Sequence, residues 1–189
     1  MEVRSDLIFK GPTWSNIDRG YRKKIFETQW GIFKICLSIG ILYDAQLDDE
    51  ESDLDEDGLN IPRTMFNRYG AEMQFFFQAA ILTSRCVELS ERDRLYLAFS
   101  EEIPEEELEG EDAELLKRGV SEKALNLNKI DFMRKFANFG AQKINKCLSI
   151  NDSETMEKLM DFLYASYKGE TEELKALMEV ETLLDDELL

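Results

Sequence analysis

Apolar side chains recur every three or four residues along most of this chain, and this spacing restricts the fold more than any other feature. Residues 18–43 would be apolar on most sides of a helix, and such a helix is stable only when other helices cover it. We therefore predict that this segment is the central helix of a bundle, with Asp18 as its N-cap. Gly31 and Gly40 are expected to allow close contact with neighbouring helices. The aromatic cluster at residues 75–77 is expected to pack in the same core.

The surrounding helices are predicted from their start and stop signals. Pro62, Ser90, Asn128 and Asn151 each precede an apolar repeat and are typical of helix N-termini, and Gly169 follows the last clear repeat. Strand signals are scarce, because the chain has four valines and no run with a period of two. The expected fold is all-α, a single-domain helical bundle of about five or six helices with acidic loops and an acidic C-terminal helix.

The same patterns suggest how the chain is divided. We expect an N-terminal arm over residues 1–17, a bundle domain over 18–168 with acidic loops at 44–61 and 101–116, and an acidic amphipathic helix or tail over 169–189. No run of about 18 apolar residues is present, which predicts that no helix spans a membrane. Three well-separated cysteines and an N-terminus without a secretory pattern favour a cytoplasmic protein.

The formal net charge of −17 is concentrated in three segments. Residues 47–59 hold eight acidic groups and no basic one, residues 101–116 hold nine and none, and residues 151–189 hold twelve acidic and three basic groups. Residues 117–150, in contrast, carry a net charge of +6. We expect the acidic segments at the surface, where they would meet a basic partner, metal ions or the chain's own basic helix.

The complete absence of histidine excludes several classes of chemistry. Neither a Ser-His-Asp triad nor a Cys-His pair can be assembled within this chain, and zinc sites with histidine ligands are ruled out. Cys36, Cys86 and Cys147 form no C-x-x-C pair and lie in apolar stretches, so we expect buried packing residues. These features favour a binding protein that needs no cofactor.

One acidic stretch partly matches a calcium-binding loop. Asp53, Asp55, Asp57 and Gly58 occupy the positions that supply the first ligands and the sharp turn of such a loop. Thr64 stands where the bidentate glutamate belongs, so the strongest ligand is missing. A solvated acidic linker explains the pattern better than a specific metal site. The metal hypothesis that we keep is a weak association of divalent ions with Asp53, Asp55 and Asp57.

Two helical faces are candidate binding surfaces. The first surface is the set of basic residues in the segment 128–148, which we expect to contact nucleic acid phosphates if the chain binds DNA or RNA. These residues are Lys129, Arg134, Lys135, Lys143 and Lys146. A solvated face is the simpler interpretation, because no aromatic residues are interleaved as in a base-stacking platform. The second surface is an apolar stripe near the C-terminus, which we expect to dock in a groove of a partner protein. It comprises Leu174, Leu177, Met178 and Leu184.

Several apolar motifs lie within residues 20–165. They are Phe33-Lys34-Ile35-Cys36-Leu37-Ser38-Ile39-Gly40, Ile61-Pro62 with Phe66, the segment Phe75 to Ile81, Phe136-Ala137-Asn138-Phe139-Gly140, and Asp161-Phe162-Leu163. In their order, these motifs resemble a small protein family encoded beside bacterial DNA phosphorothioation (Dnd) systems. The acidic stretch from Glu101 to Glu114 and the acidic tail depart from the family pattern. The resemblance implies a non-enzymatic accessory subunit of a bacterial antiphage or DNA-processing defence complex, and it carries no catalytic residues.

The expected function is that of an adaptor that binds a larger subunit, such as a nuclease, a helicase or an SMC-like ATPase. Two alternatives remain open. A phage-type DNA mimic would present regularly spaced carboxylates to a DNA-binding enzyme, but the acidic groups here are divided among separate segments. A carboxylate-metal enzyme would need a set such as Asp161, Glu173 and Lys175, whose helical setting does not match the adjacent strands usual for such a site.

Overall fold

A computed structural model describes residues 5–50, 58–99 and 119–187, with side chains as far as Glu179. Its elements are β1 (Leu7–Phe9), α1 (Pro12–Tyr21), α2 (Gln29–Leu42), β2 (Leu59–Ile61), α3 (Arg63–Arg68), α4 (Gly70–Thr83), α5 (Glu91–Phe99), α6 (Glu122–Leu125), α7 (Lys129–Asn145), α8 (Asp152–Lys168) and α9 (Glu172–Glu187). The described part of the chain is mostly helical, which confirms the all-α prediction. No helix in these ranges is long and apolar enough to cross a membrane.

Helices α2 and α7 form the centre of the fold, and their backbones nearly touch at two glycines. A Cβ atom on Gly40 would collide with the carbonyl oxygen of Phe136, and one on Gly140 with the carbonyl oxygen of Cys36. These pairings run in opposite directions along the two helices, so the helices are antiparallel. The close contact predicted at Gly40 is confirmed, whereas a Cβ atom on Gly31 would make only ordinary side-chain contacts.

The core beside these helices is rich in aromatic rings. Phe132 lies between Phe77 and Phe136, with ring centroids 5.9 and 5.1 Å apart in edge-on geometry. Phe77 is fully buried, but Phe75 is 66% exposed, so the prediction of a buried aromatic cluster is wrong for Phe75. Consecutive residues of a helix point about 100° apart, and three adjacent rings therefore cannot all face one core.

The segment predicted as one helix over residues 18–43 is two helices. α1 and α2 are separated by a turn in which Lys23 has a φ of +60°. Asp18 lies inside α1, and the predicted N-cap is therefore wrong. The residue that caps α2 is Thr28, whose side chain accepts a hydrogen bond from the Gly31 N–H.

Residues 5–17, expected in an N-terminal arm, contain β1 and most of α1, and Trp14 is buried in the core. Strand β1 pairs with β2 in an antiparallel sheet, with Leu7 opposite Ile61. Residues 59–61 therefore belong to a strand and not to an acidic loop. Each strand has three residues, which is too short for a period of two to be recognised in the sequence.

The other helix starts, which were predicted at Pro62, Ser90, Asn128 and Asn151, are confirmed. Ser90 and Asp93 exchange side chain-to-backbone hydrogen bonds in both directions, which is the capping box predicted for α5. The side chains of Asn128 and Asn151 accept hydrogen bonds from the first N–H groups of α7 and α8. Pro62 directly precedes α3.

Candidate functional site

Helix α7 carries four of the five basic residues that were predicted to contact nucleic acid, and three of them form ion pairs with acidic groups of this chain. Arg134 pairs with Asp131 and with Asp49, whose carboxylate oxygen is 3.0 Å from the guanidinium. The Nζ atom of Lys135 is 2.6 Å from Asp48. This hydrogen bond raises the pKa of Lys135 and lowers the pKa of Asp48. Both basic residues are therefore neutralised within the molecule.

Lys143 is the most enclosed of these ion-paired basic residues, with 12% of its side chain exposed. Its Nζ atom lies 2.5 Å from the carboxylate of Glu173 in α9. The same atom lies 5.1 Å from the ring centroid of Tyr43 and 5.3 Å from that of Phe139. The hydrogen bond from Lys143 lowers the pKa of Glu173. Lys143 thus ties α7 to α9 and does not form part of an open basic surface.

The remaining two candidates lie near the two ends of α7. The Nζ atom of Lys129 is 5.3 Å from the ring centroid of Phe77. Lys146 is exposed just beyond the last residue of the helix. The five basic residues are therefore not presented as one continuous, unpaired face.

The start of the first acidic segment, residues 47–50, lies along α7, and we call it the acidic strap. The side-chain amide of Asn138 donates hydrogen bonds to the Leu47 carbonyl at 3.2 Å and to the Asp49 carboxylate at 2.9 Å. At the other end of the strap, the Glu50 carboxylate accepts hydrogen bonds from both the N–H and the hydroxyl of Thr13. Part of the acidic excess is thus held against the chain's own basic helix.

The calcium-loop pattern cannot be followed in the structure, because Asp53, Asp55 and Asp57 lie outside the described residues. Gly58 is described, and a Cβ atom there would collide with the carbonyl oxygen of Phe9. Close approach of two backbones therefore explains this glycine without a metal. The described ranges contain no group of three or more His, Cys, Asp or Glu residues arranged to hold a metal ion.

The cysteines also divide into two environments. Cys36 and Cys147 are buried as predicted, but the prediction is wrong for Cys86, which is exposed and lies outside the helices. The Cys86 thiol is 2.9 Å from the Asp44 carbonyl oxygen and donates to it. Desolvation, reinforced by the nearby Asp44 carboxylate, raises the pKa of Cys86. The thiol is therefore protonated at neutral pH and poorly suited to act as a nucleophile.

The apolar stripe predicted for docking on α9 lies partly inside this protein's own fold. Leu174 is 6% exposed and Leu177 packs against the core, whereas Met178 is 58% exposed. Leu184 lies outside the residues whose side chains are described. Leu177 and Met178, together with Tyr167 of α8, line an open groove of about 460 Å³.

Helix α8 presents a second apolar face, which the sequence did not distinguish from the core. Four large side chains on this face are 41% to 81% exposed, and we call them the α8 stripe: Met156, Met160, Tyr164 and Tyr167. The opposite side of the helix is packed, with Leu159 buried and the Ser166 hydroxyl 2.8 Å from that of Tyr43. The sequence signal that could have revealed the stripe is the width of the apolar arc, which exceeds what one packed side can cover.

The described part of the chain combines paired charges on α7 with exposed apolar surface on α8. The basic groups of α7 mostly contact carboxylates or aromatic rings, and the α8 stripe offers apolar surface to solvent. No family model matches the chain, and no curated protein or solved structure was found to be significantly similar to it.

Proposed function

We propose that this chain is a non-enzymatic adaptor that acts by binding a larger protein subunit. The observation that supports this proposal is the α8 stripe. Burying apolar surface against a partner is favourable by about 25 cal/mol per Å², and contiguous exposed apolar patches are typical of protein-interaction sites. Four large solvent-facing side chains on one helix are best explained as half of a protein–protein interface.

The fold does not depend on this stripe, because other contacts fix α8. The inward-facing Leu159 is buried, and the Thr155 hydroxyl accepts a hydrogen bond from the Ser149 N–H at 2.9 Å. At the start of the helix, Asp152 is 2.8 Å from Lys24. The stripe residues are therefore available for binding at little cost to the folded structure.

The resemblance to proteins encoded beside Dnd systems supplies the proposed setting. In this setting the chain is an accessory subunit of a cytoplasmic bacterial defence complex, and its partner is a nuclease, a helicase or an SMC-like ATPase. The DNA mimic is less well supported, because a mimic needs carboxylates that are free to pair with the basic groups of its target enzyme. Asp48, Asp49 and Glu173 instead form ion pairs with α7.

Purification of the tagged chain from its native host tests the proposal. We expect one larger subunit to co-elute in a fixed ratio on size exclusion, and to remain bound when the salt concentration is raised, because apolar contact is not screened. A chain that elutes alone as a monomer would contradict the adaptor proposal. Release of the bound protein by duplex DNA would instead favour the mimic.

A further inference from the structure

We infer that the α8 stripe binds an amphipathic helix of the partner whose apolar face is bordered by lysine or arginine. This inference rests on the proposed function and specifies the surface and the chemistry of its partner. Two features of α8 support it, the dimensions of the stripe and the acidic row beside it.

The dimensions of the stripe match those of a docked helix. Met156 and Tyr167 are eleven residues apart, which corresponds to about 16 Å or three turns of α-helix. Recognition of an amphipathic helix commonly uses apolar anchors over two to three turns. The groove beside Tyr167 and Met178 leaves room for a large apolar side chain at one end of such a helix.

The acidic row lies along the edge of the stripe that faces away from the core. Glu157 and Asp161 each follow a stripe methionine by one position, so they occupy the neighbouring row of the helix surface. Both are exposed, and within the described ranges neither forms an ion pair. On the other edge of the stripe, Leu159 and Leu163 lead into the core. A docked helix would therefore meet negative charge on one side only.

The other charges of α8 define where basic groups of the partner would lie. Glu154 pairs with Lys158 at 2.7 Å, in addition to the pair between Asp152 and Lys24. The Nζ atom of Lys168 lies 5.6 Å from the ring centroid of Tyr164 and adds positive charge at the C-terminal end of the stripe. The acidic row is therefore confined to the middle turns of α8, where the basic residues of the partner would lie.

A second copy of this chain fits the stripe less well than a basic helix does. The chain carries a net charge of −17, and two facing stripes would bring two acidic rows close together. Methionine side chains adapt to differently shaped partners. The stripe is consequently selective for the charge pattern of the bound helix more than for its exact side chains.

Fluorescence anisotropy with a synthetic leucine-lysine peptide of about 15 residues, its leucines on one helical face, tests the inference. We expect binding at least about tenfold tighter than that of a scrambled peptide of the same composition. Tyr164→Glu should weaken binding about tenfold or more. Phe75→Glu is the matched control, because it removes an equally exposed ring and adds the same charge on α4, and it should leave binding unchanged. Glu157→Lys combined with Asp161→Lys should shift the preference to a leucine-glutamate peptide.

Four results would overturn the inference. Equal binding to the wild type and to Tyr164→Glu would place the peptide elsewhere, and equal binding of the scrambled peptide would show attraction by overall charge alone. A wild-type dimer that Tyr164→Glu converts to a monomer would make the stripe a self-interface. Far-UV circular dichroism of each variant is the check that it is folded. If the larger subunit co-purifies with Tyr164→Glu as well as with the wild type, the α8 stripe is not the binding surface, but the adaptor proposal stands. The adaptor proposal itself fails if no larger subunit co-purifies with the wild type.

Discussion

Helices α7 and α8 each have 17 residues, yet they bury their side chains to very different extents. Eight residues of α7 are buried, among them Phe136 and the contact glycine Gly140. In α8 the buried residues are Thr155, Leu159 and Ser166, of which Leu159 is the one large apolar side chain. Both helices begin at an asparagine cap, so the difference arises from what covers them and not from how they form.

Their charged residues differ in the same way. Arg134, Lys135 and Lys143 of α7 form ion pairs with carboxylates of the acidic strap, of α9 and of α7 itself. Glu157 and Asp161 of α8 have no such partners within the described ranges. One helix is thus complete within the fold, whereas the other leaves both apolar surface and negative charge unmatched. An apolar repeat therefore predicts burial without indicating whether the protein itself or a partner provides the cover.

Truncating one aromatic ring in each helix tests this contrast most strongly. Phe136→Ala on α7 should lower the free energy of unfolding by about 4 kcal/mol, because it empties a fully buried site. Tyr164→Ala on α8 should change it by no more than about 0.5 kcal/mol, because the side chain is 62% exposed. Urea unfolding followed by far-UV circular dichroism measures both. Similar losses in the two variants would show that the α8 stripe belongs to the core.

A smaller effect is expected where α7 touches α2. Gly140→Ala places a methyl group against the Cys36 carbonyl and should cost about 2 kcal/mol of unfolding free energy, since rigid backbones must move apart. Gly31→Ala is the matched control, because its methyl group has room and alanine favours the helix. This control should be neutral or slightly stabilising in the same urea experiment. A neutral Gly140→Ala would mean that the central helix pair tolerates separation.

The sequence predicted local features of the fold well because their causes are local. The caps at Asn128 and Asn151 depend on hydrogen bonds to residues two or three positions away. The break between α1 and α2 was missed for a physical reason. Tyr21, Ile25 and Phe26 keep helical spacing, and the Tyr21 carbonyl accepts hydrogen bonds from both later residues, although the backbone between them turns.

The candidate site was less predictable because it depends on distant parts of the chain. Asn138 donates to Leu47 and Asp49, which lie 91 and 89 residues away in the sequence. No local pattern indicates that the acidic strap would lie on α7. The exposure of the α8 stripe likewise depends on which helices fail to cover it, and the spacing of Leu159 and Met160 in the sequence does not distinguish the buried side chain from the exposed one.

The smallest expected difference concerns two carboxylates: Glu173, which pairs with Lys143 of α7, and Glu157, which lies on α8. Glu173 is hydrogen-bonded to Lys143, which holds its pKa below the usual value of 4.5 in the folded state. Its pair therefore adds stability above about pH 4.5 that is lost as the pH falls through the lower folded value. Glu173→Gln should cost no more than about 1 kcal/mol at pH 7, because the carboxylate side chain is 56% exposed. Glu157→Gln on α8 should have no measurable effect on unfolding. Urea unfolding between pH 7 and pH 3.5 measures the difference in unfolding free energy between the wild type and Glu173→Gln, and this difference should become smaller as the pH falls. A difference that does not depend on pH would mean that the glutamate acts through packing and not through its charge.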